Sequence, residues 1–224
     1  MSQKFCTFAA MKKLLTLLLA LVSLTASAED IGSLFAAMPD SIIPLLSRNN
    51  RLDCLDFYKS GMKNAVTNKL SGRSRITGMN ERTLSLHLSE ASDAQLMLLK
   101  GQDNAPLIVM IYTYRSPALE SVITLYGKDW HRLRTSDYIS LPGVDDFLRA
   151  PETRDDSTRS NLSNARDILT DAFVSATADS LGQKITFSLS TANLTSEETK
   201  QITPYIIPAK TFVWDGKRFA AAEE

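Results

Sequence analysis

The chain has 224 residues, 25 basic and 25 acidic side chains and a hydrophobic fraction of 44%. This length suits one good core or two small joined ones, and the even charge excludes the basic field of a nucleic-acid or anionic-membrane binder. Two cysteines in the whole chain rule out a disulfide framework.

The first segment reads as a targeting signal. Met11-Lys12-Lys13 is followed by an almost wholly apolar run from Leu14 to Ala26, then by Ala26-Ser27-Ala28 and Glu29-Asp30. A basic start, a short apolar core and a small-residue end predict a secretory signal peptide cleaved between Ala28 and Glu29. The run is too short for a membrane span, and translation from Met11 fits the pattern as well as Met1. Cys6 precedes the run and none stands at the cleavage site, so a lipoprotein anchor is not expected. The expected compartment is periplasmic or extracellular. Cleavage removes Lys4, Lys12 and Lys13 and leaves residues 29–224 as one mature domain, with 22 basic and 25 acidic side chains.

Residues 29–70 read as a helical head. Leu34-Phe35 opens an apolar face that stops at Met38-Pro39. Asp40 or Ser41 is expected to cap a short helix with Pro44 in its first turn, broken by Asn49-Asn50. A third helix is predicted from Arg51, with Leu52, Leu55 and Tyr58 on one face and Gly61 as the stop; Met62, Val66 and Leu70 continue at spacing four. Cys54, alone after maturation, reads as a small buried apolar side chain, a reactive thiol being the alternative.

From Thr83 the period changes to two. Leu84, Leu86 and Leu88 share one face, and Ser85, His87 and Ser89 the other. A return strand over 95–100, an apolar central strand over 107–112 and a hairpin over 122–133 complete a first β half, residues 82–133. Residues 134–170 connect to a second half. Asp145-Asp146-Phe147-Leu148 predicts one helical turn, and residues 151–164 an exposed, mobile loop. The second half, residues 171–224, repeats strand (173–178), turn (179–182), strand (184–189), Thr/Ser/Glu loop and strand (205–207). It ends in a hairpin around Asp215-Gly216. Matching turns are 89 residues apart and the hairpin ends 86. Near-equal offsets suggest an internal duplication; the general likeness of meanders is the other reading. The fold class predicted is α+β, N-terminal helices on antiparallel sheet, with two duplicated meander halves as one form of it.

Chemistry is sparse. Ser85 and His87 share a strand face, but residues two apart on a strand lie roughly 7 Å apart, long for a nucleophile and its base. No G-x-S-x-G elbow, metal-ligand spacing, calcium loop or Gly-rich phosphate loop is present, so no catalytic, cofactor or metal residue is assigned. Aromatic side chains concentrate in the strands. Tyr112, Tyr126, Trp130 and Trp214 are the candidates for an interaction surface, with cross-strand packing as the alternative.

The runs Leu34 to Leu46, Asn49-Asn50-Arg51-Leu52-Asp53 with Asp56-Phe57, and Leu84 to Ser89, with a late aromatic-Gly hairpin, resemble the domain of unknown function family 3256. That family comprises secreted proteins of Bacteroidales. The resemblance implies export and carries no catalytic residues. Asp40-Ser41-Ile42, Asp156-Ser157-Thr158 and Asp179-Ser180-Leu181 resemble the acceptor motif of general O-glycosylation in Bacteroidetes, which makes Ser41, Ser157 and Ser180 candidate glycosylation sites. The expected function is a non-enzymatic envelope module that binds a protein or peptide partner. The alternatives are a lipid- or sugar-binding domain and an envelope hydrolase using Ser85 and His87.

Overall fold

The computed structural model describes residues 30–101, 105–149 and 156–222. The expected signal peptide, with its expected cleavage between Ala28 and Glu29, lies outside these residues. The described residues form four α-helices and two antiparallel sheets. The helices are α1 (Ile31–Ala37), α2 (Arg48–Lys59), α3 (Asp156–Leu169) and α4 (Ser196–Ile202). The first sheet holds six strands in sequence order: β1 (Val66–Thr67), β2 (Arg73–Met79), β3 (Thr83–Ser89), β4 (Ser92–Lys100), β5 (Pro106–Tyr114) and β6 (Glu120–Gly127). The second holds β7 (Phe173–Ala178), β8 (Lys184–Ser190), β9 (Ala209–Trp214) and β10 (Phe219–Ala221), also as a meander. The α+β class and the packing of helices on antiparallel sheet are as expected, and the β halves are two sheets.

Alternation sorts the six-stranded sheet into two faces. Leu84, Leu86, Leu88, Leu96, Ile108 and Met110 face α1 and α2 and pack against Ile31, Leu34, Phe35, Cys54 and Leu55. Each such buried side chain contributes about 1.5–3 kcal/mol. On the opposite face Met97, Leu99, Leu107, Val109, Ile111, Ile123 and Leu125 meet Ile185, Phe187 and Phe219 of the second sheet. β4 and β5 therefore carry apolar side chains on both faces, which accounts for the unbroken apolar run read at 107–112.

Several local expectations are corrected. Asn50 does not break a helix. Ser47 Oγ accepts the Asn50 N–H and Asn50 Oδ1 accepts the Ser47 N–H, a reciprocal cap that starts α2. No helix forms at Pro44, because the segment from Met38 to Leu46 is held as turns by Arg51. That side chain is 1% exposed. Its Nε donates to Phe35 O (3.1 Å), Nη1 to Asp40 Oδ1 (2.8 Å) and Leu46 O (2.9 Å), and Nη2 to Met38 O. The chain leaves the helical pattern after Gly61, whose φ is +69°. Val66 belongs to a strand, while Met62 and Leu70 are exposed.

The predicted hairpin over 122–133 is also changed. Trp130 takes a left-handed φ of +64°, which turns the return segment out of the strand plane. Pairing shrinks to a Tyr126–Arg132 bridge, and the indole drops into the helical layer, where Nε1 donates to Leu34 O at 3.2 Å. The closing hairpin does form, with Trp214 paired to Phe219. The two hairpins are thus not equivalent: counted from residue 82 one turn follows the fourth strand of its half (β6), and counted from residue 171 the other follows the third (β9). Their equal offset does not relate matching strands.

Residues 156–169 of the expected loop region form α3, and the Thr/Ser/Glu loop contains α4. The apolar positions of α3 are Leu162, Ala165, Ile168 and Leu169, three of which lie beyond the window read as loop; Ala165, Ile168 and Leu169 pack with Ile202. Residues 205–207 are not a strand; Leu148 and Ile206 make one isolated bridge. The turn at Asp145-Asp146 exists as a 3-10 turn over Val144–Phe147.

Candidate functional site

The structure disperses the four aromatic candidates. Tyr126 and Trp130 are 7% and 6% exposed and pack together at 5.5 Å under the helices, so they are core and present no surface. Tyr112 lies on the helical face, its hydroxyl donating to Ser92 Oγ at 3.1 Å and its ring 5.0 Å from Tyr114. Trp214 lies on the second sheet. Of the four, Trp214 lines a cleft.

That cleft has a volume of about 730 Å³ and sits where the ends of β4, β5 and β6 meet the β9–β10 turn. Its apolar wall is Leu107, Leu133, Tyr138 and Trp214. Backbone geometry brings these together. The Phe219 N–H donates to Tyr138 O (2.7 Å), tying the start of β10 to the 3-10 turn at Thr135–Asp137. The Trp214 indole N–H donates to Lys100 O (3.0 Å) at the end of β4. The Tyr138 and Trp214 rings are then nearly parallel, at 25° and 6.4 Å. Asp215 Oδ1 accepts from the N–H groups of Lys217 and Arg218, each at 2.7 Å, which folds the turn and lowers the Asp215 pKa. The rim carries Lys128, Lys217 and the hydrogen-bonded pair His131 Nδ1–Asp129 Oδ1. That bond also holds the Asp129 carboxyl below its ordinary value. A methyl at Gly127 would collide with the His131 ring, so glycine lets the imidazole close over the turn. Sequence reading missed Tyr138, since no periodic pattern marks a residue beside a single 3-10 turn.

A second hollow, of about 470 Å³, lies at the opposite end of β4, where β7 overhangs the first sheet. It contains Ser85 and His87. They are not partners: Ser85 Oγ accepts from Gln95 Nε2 at 3.3 Å, while His87 Nδ1 pairs with Asp93 Oδ1 at 3.0 Å across the strands.

Edge strands β6, β7 and β10 carry caps. The outward N–H groups of Ala176 and Ala178 on edge strand β7 donate to Ser121 Oγ (2.9 Å) and Gln95 Oε1 (3.0 Å) of the other sheet. The Leu133 N–H covers β6 through Leu125 O at 2.8 Å, and the first N–H of β10 is taken by Tyr138. Capped edges resist strand addition.

Cys54 is 2% exposed, and burial pushes its thiol pKa up to about 11, the physics of an inert side chain. Ser41, Ser157 and Ser180 are all exposed, Ser157 in the first turn of α3 rather than in a loop.

An antiparallel six-stranded sheet, helices on one face and a four-stranded sheet on half of the other, defines a two-sheet α+β protein with clefts along the inter-sheet seam. The family model described as "Protein of unknown function (DUF3256)" matches residues 23–219, and the chain belongs to that family. Among solved structures, a domain of an uncharacterized protein from Porphyromonas gingivalis W83 is similar in fold, with a TM-score of 0.72 at 19% identity. The match covers 87% of this chain and 98% of that one. No curated protein matches the chain.

Proposed function

We propose that the protein is an exported, non-enzymatic binding module of the cell envelope and that its ligand sits in the aromatic cleft. One observation carries this reading: Tyr138 and Trp214 form a nearly parallel aromatic wall in a cleft of about 730 Å³ with a polar rim. Clefts of this size with few polar groups suit small ligands. An aromatic wall next to hydrogen-bonding side chains favours a ring with one apolar face and polar edges, and a sugar residue has that character. Recruitment of a peptide by strand addition is the weaker reading, since β6, β7 and β10 are each capped at their edges. Export is supported by the basic, apolar and small-residue order over residues 11–28.

Two experiments test the proposal. Cell fractionation with N-terminal sequencing should recover a chain beginning at Glu29 outside the cytoplasm; an intact N-terminus in the cytoplasm sinks export. Titration with maltotriose, chitotriose and xylotriose, followed by tryptophan fluorescence, should give a saturable change with at least one sugar. The change should vanish in Trp214→Phe, because Trp130 is buried away from the cleft. A flat response to all three removes the sugar reading. Saturation by laurate instead would assign the cleft to a lipid.

A further inference from the structure

The second hollow has a chemistry of its own. Alternation on β2 sets Arg73, Arg75 and Thr77 on the face that looks away from the helices, all three exposed. The register places Arg75 opposite His87, His87 opposite Asp93 and Asp93 opposite Thr113. Facing residues on adjacent strands lie about 4.5–5.5 Å apart, so these four side chains make one row across the sheet. Arg115 Nε donates to Asp93 Oδ2 at 2.8 Å, which leaves the Asp93 charge compensated. The Arg75 side chain makes no hydrogen bond or ion pair among the described residues, and the Arg73 side chain has only Thr67 Oγ1, at 3.3 Å. Glu90, wholly exposed on the β3–β4 turn, stands 3.9 Å from His87 Nε2. Three arginines thus face two carboxylates on one side of a mature chain in which acids outnumber bases.

A solvated sheet face would also be polar. Two features distinguish this one. It is concave, because Ser175 and Thr177 of β7 wall it from above. Its cations are all arginines, one with its fork unused, and a planar guanidinium matches a carboxylate with two parallel hydrogen bonds. Thr77, Thr113 and His87 line the same hollow.

We propose that this hollow binds a small ligand through its carboxylate, seated on Arg75 beside His87 and Thr77. The site is independent of the aromatic cleft. β4 runs from Asp93 in the hollow to Lys100 beside the cleft, a separation of roughly 24 Å by strand rise.

The chain has two histidines, one in each cleft, so imidazole NMR signals report on the two sites separately. The purified chain is titrated at constant pH and ionic strength with glucuronate, with glucose as the neutral counterpart, and with inorganic phosphate. Glucuronate should move the His87 signal saturably at millimolar concentration and leave His131 in place, while glucose moves neither. Arg75→Gln, an exposed substitution, should fold with an unchanged melting temperature and weaken glucuronate binding about tenfold or more. N-acetylglycine, a carboxylate without a sugar ring, should reproduce the His87 shift, because the proposal rests on the carboxylate. No shift at His87, an undiminished shift in Arg75→Gln, or phosphate binding tighter than both carboxylates overturns it. Equal movement of both histidines would mean screening rather than a site, and overturns it as well.

Discussion

The two faces of the six-stranded sheet are built from the same strands and differ in what covers them. The helical face carries a buried apolar layer from Ile76 on β2 to Tyr126 on β6, covered by α1, α2, Trp130 and the turns held by Arg51, with Ser74 hydrogen-bonded within it. The opposite face is apolar only along β4, β5 and β6, where the second sheet lies, and polar at Arg75, Ser85, His87 and Asp93. Burial sets the composition, since side chains under a layer must be apolar or fully hydrogen-bonded. Where the cover stops, residues are free of packing demands, and both clefts lie at such borders.

This comparison can be broken by substitution. The largest loss is expected at the cover itself. Arg51→Ala strips hydrogen bonds from three backbone carbonyls and should cost about 3–5 kcal/mol in urea unfolding; a loss below 1 kcal/mol would show that the cover does not depend on this side chain. Leu96→Ala, beneath the helices, should cost about 2–5 kcal/mol. Gln95→Ala, which uncaps the Ala178 N–H at the seam, should cost about 1–2 kcal/mol. Arg75→Gln and His87→Gln on the uncovered half should stay within about 0.5 kcal/mol of the parent. If those two cost as much as Leu96→Ala, the polar half is structural and the contrast between the faces fails.

Two smaller effects sharpen the same picture. Arg51 holds the Asp40 carboxyl below its ordinary pKa of 3.8 by a hydrogen bond, aided by its charge and that of Lys69. A depressed folded pKa means that this contribution is present above pH 3.8 and is lost as pH falls through the folded value. Asp40→Asn should therefore flatten the acid limb of the stability profile below about pH 4 and leave the profile near neutrality with the same slope. Cys54 should resist a thiol reagent at pH 8 in the folded chain and react at once in denaturant. Rapid labelling of the folded chain would show that α2 opens readily from the sheet.

Much of the architecture was legible from local pattern. The period of two at Leu84–Leu88 and the apolar run at 107–112 marked β3 and β5, and Asp215-Gly216 marked the last hairpin. Thr195-Ser196-Glu197-Glu198 carries a reciprocal cap that would have announced α4: Thr195 Oγ1 accepts the Glu198 N–H at 3.2 Å, and Glu198 Oε2 accepts the Thr195 N–H at 2.7 Å. α3 was hidden because its apolar stripe begins inside a charged stretch and finishes outside it. The aromatic cleft was legible only at Trp214. Its other half, Tyr138, arrives through a backbone hydrogen bond from a residue 81 positions later.

By itself the sequence determined the class of fold, the strand faces and the inertness expected of Cys54, because periodicity and local capping are properties of neighbouring residues. Only the tertiary structure decided that Trp130 is core, that Arg51 organises the helical cover, and that Arg75, His87 and Asp93 form one row. Those outcomes depend on which strands pair and where a layer ends, and chain segments far apart in sequence settle both.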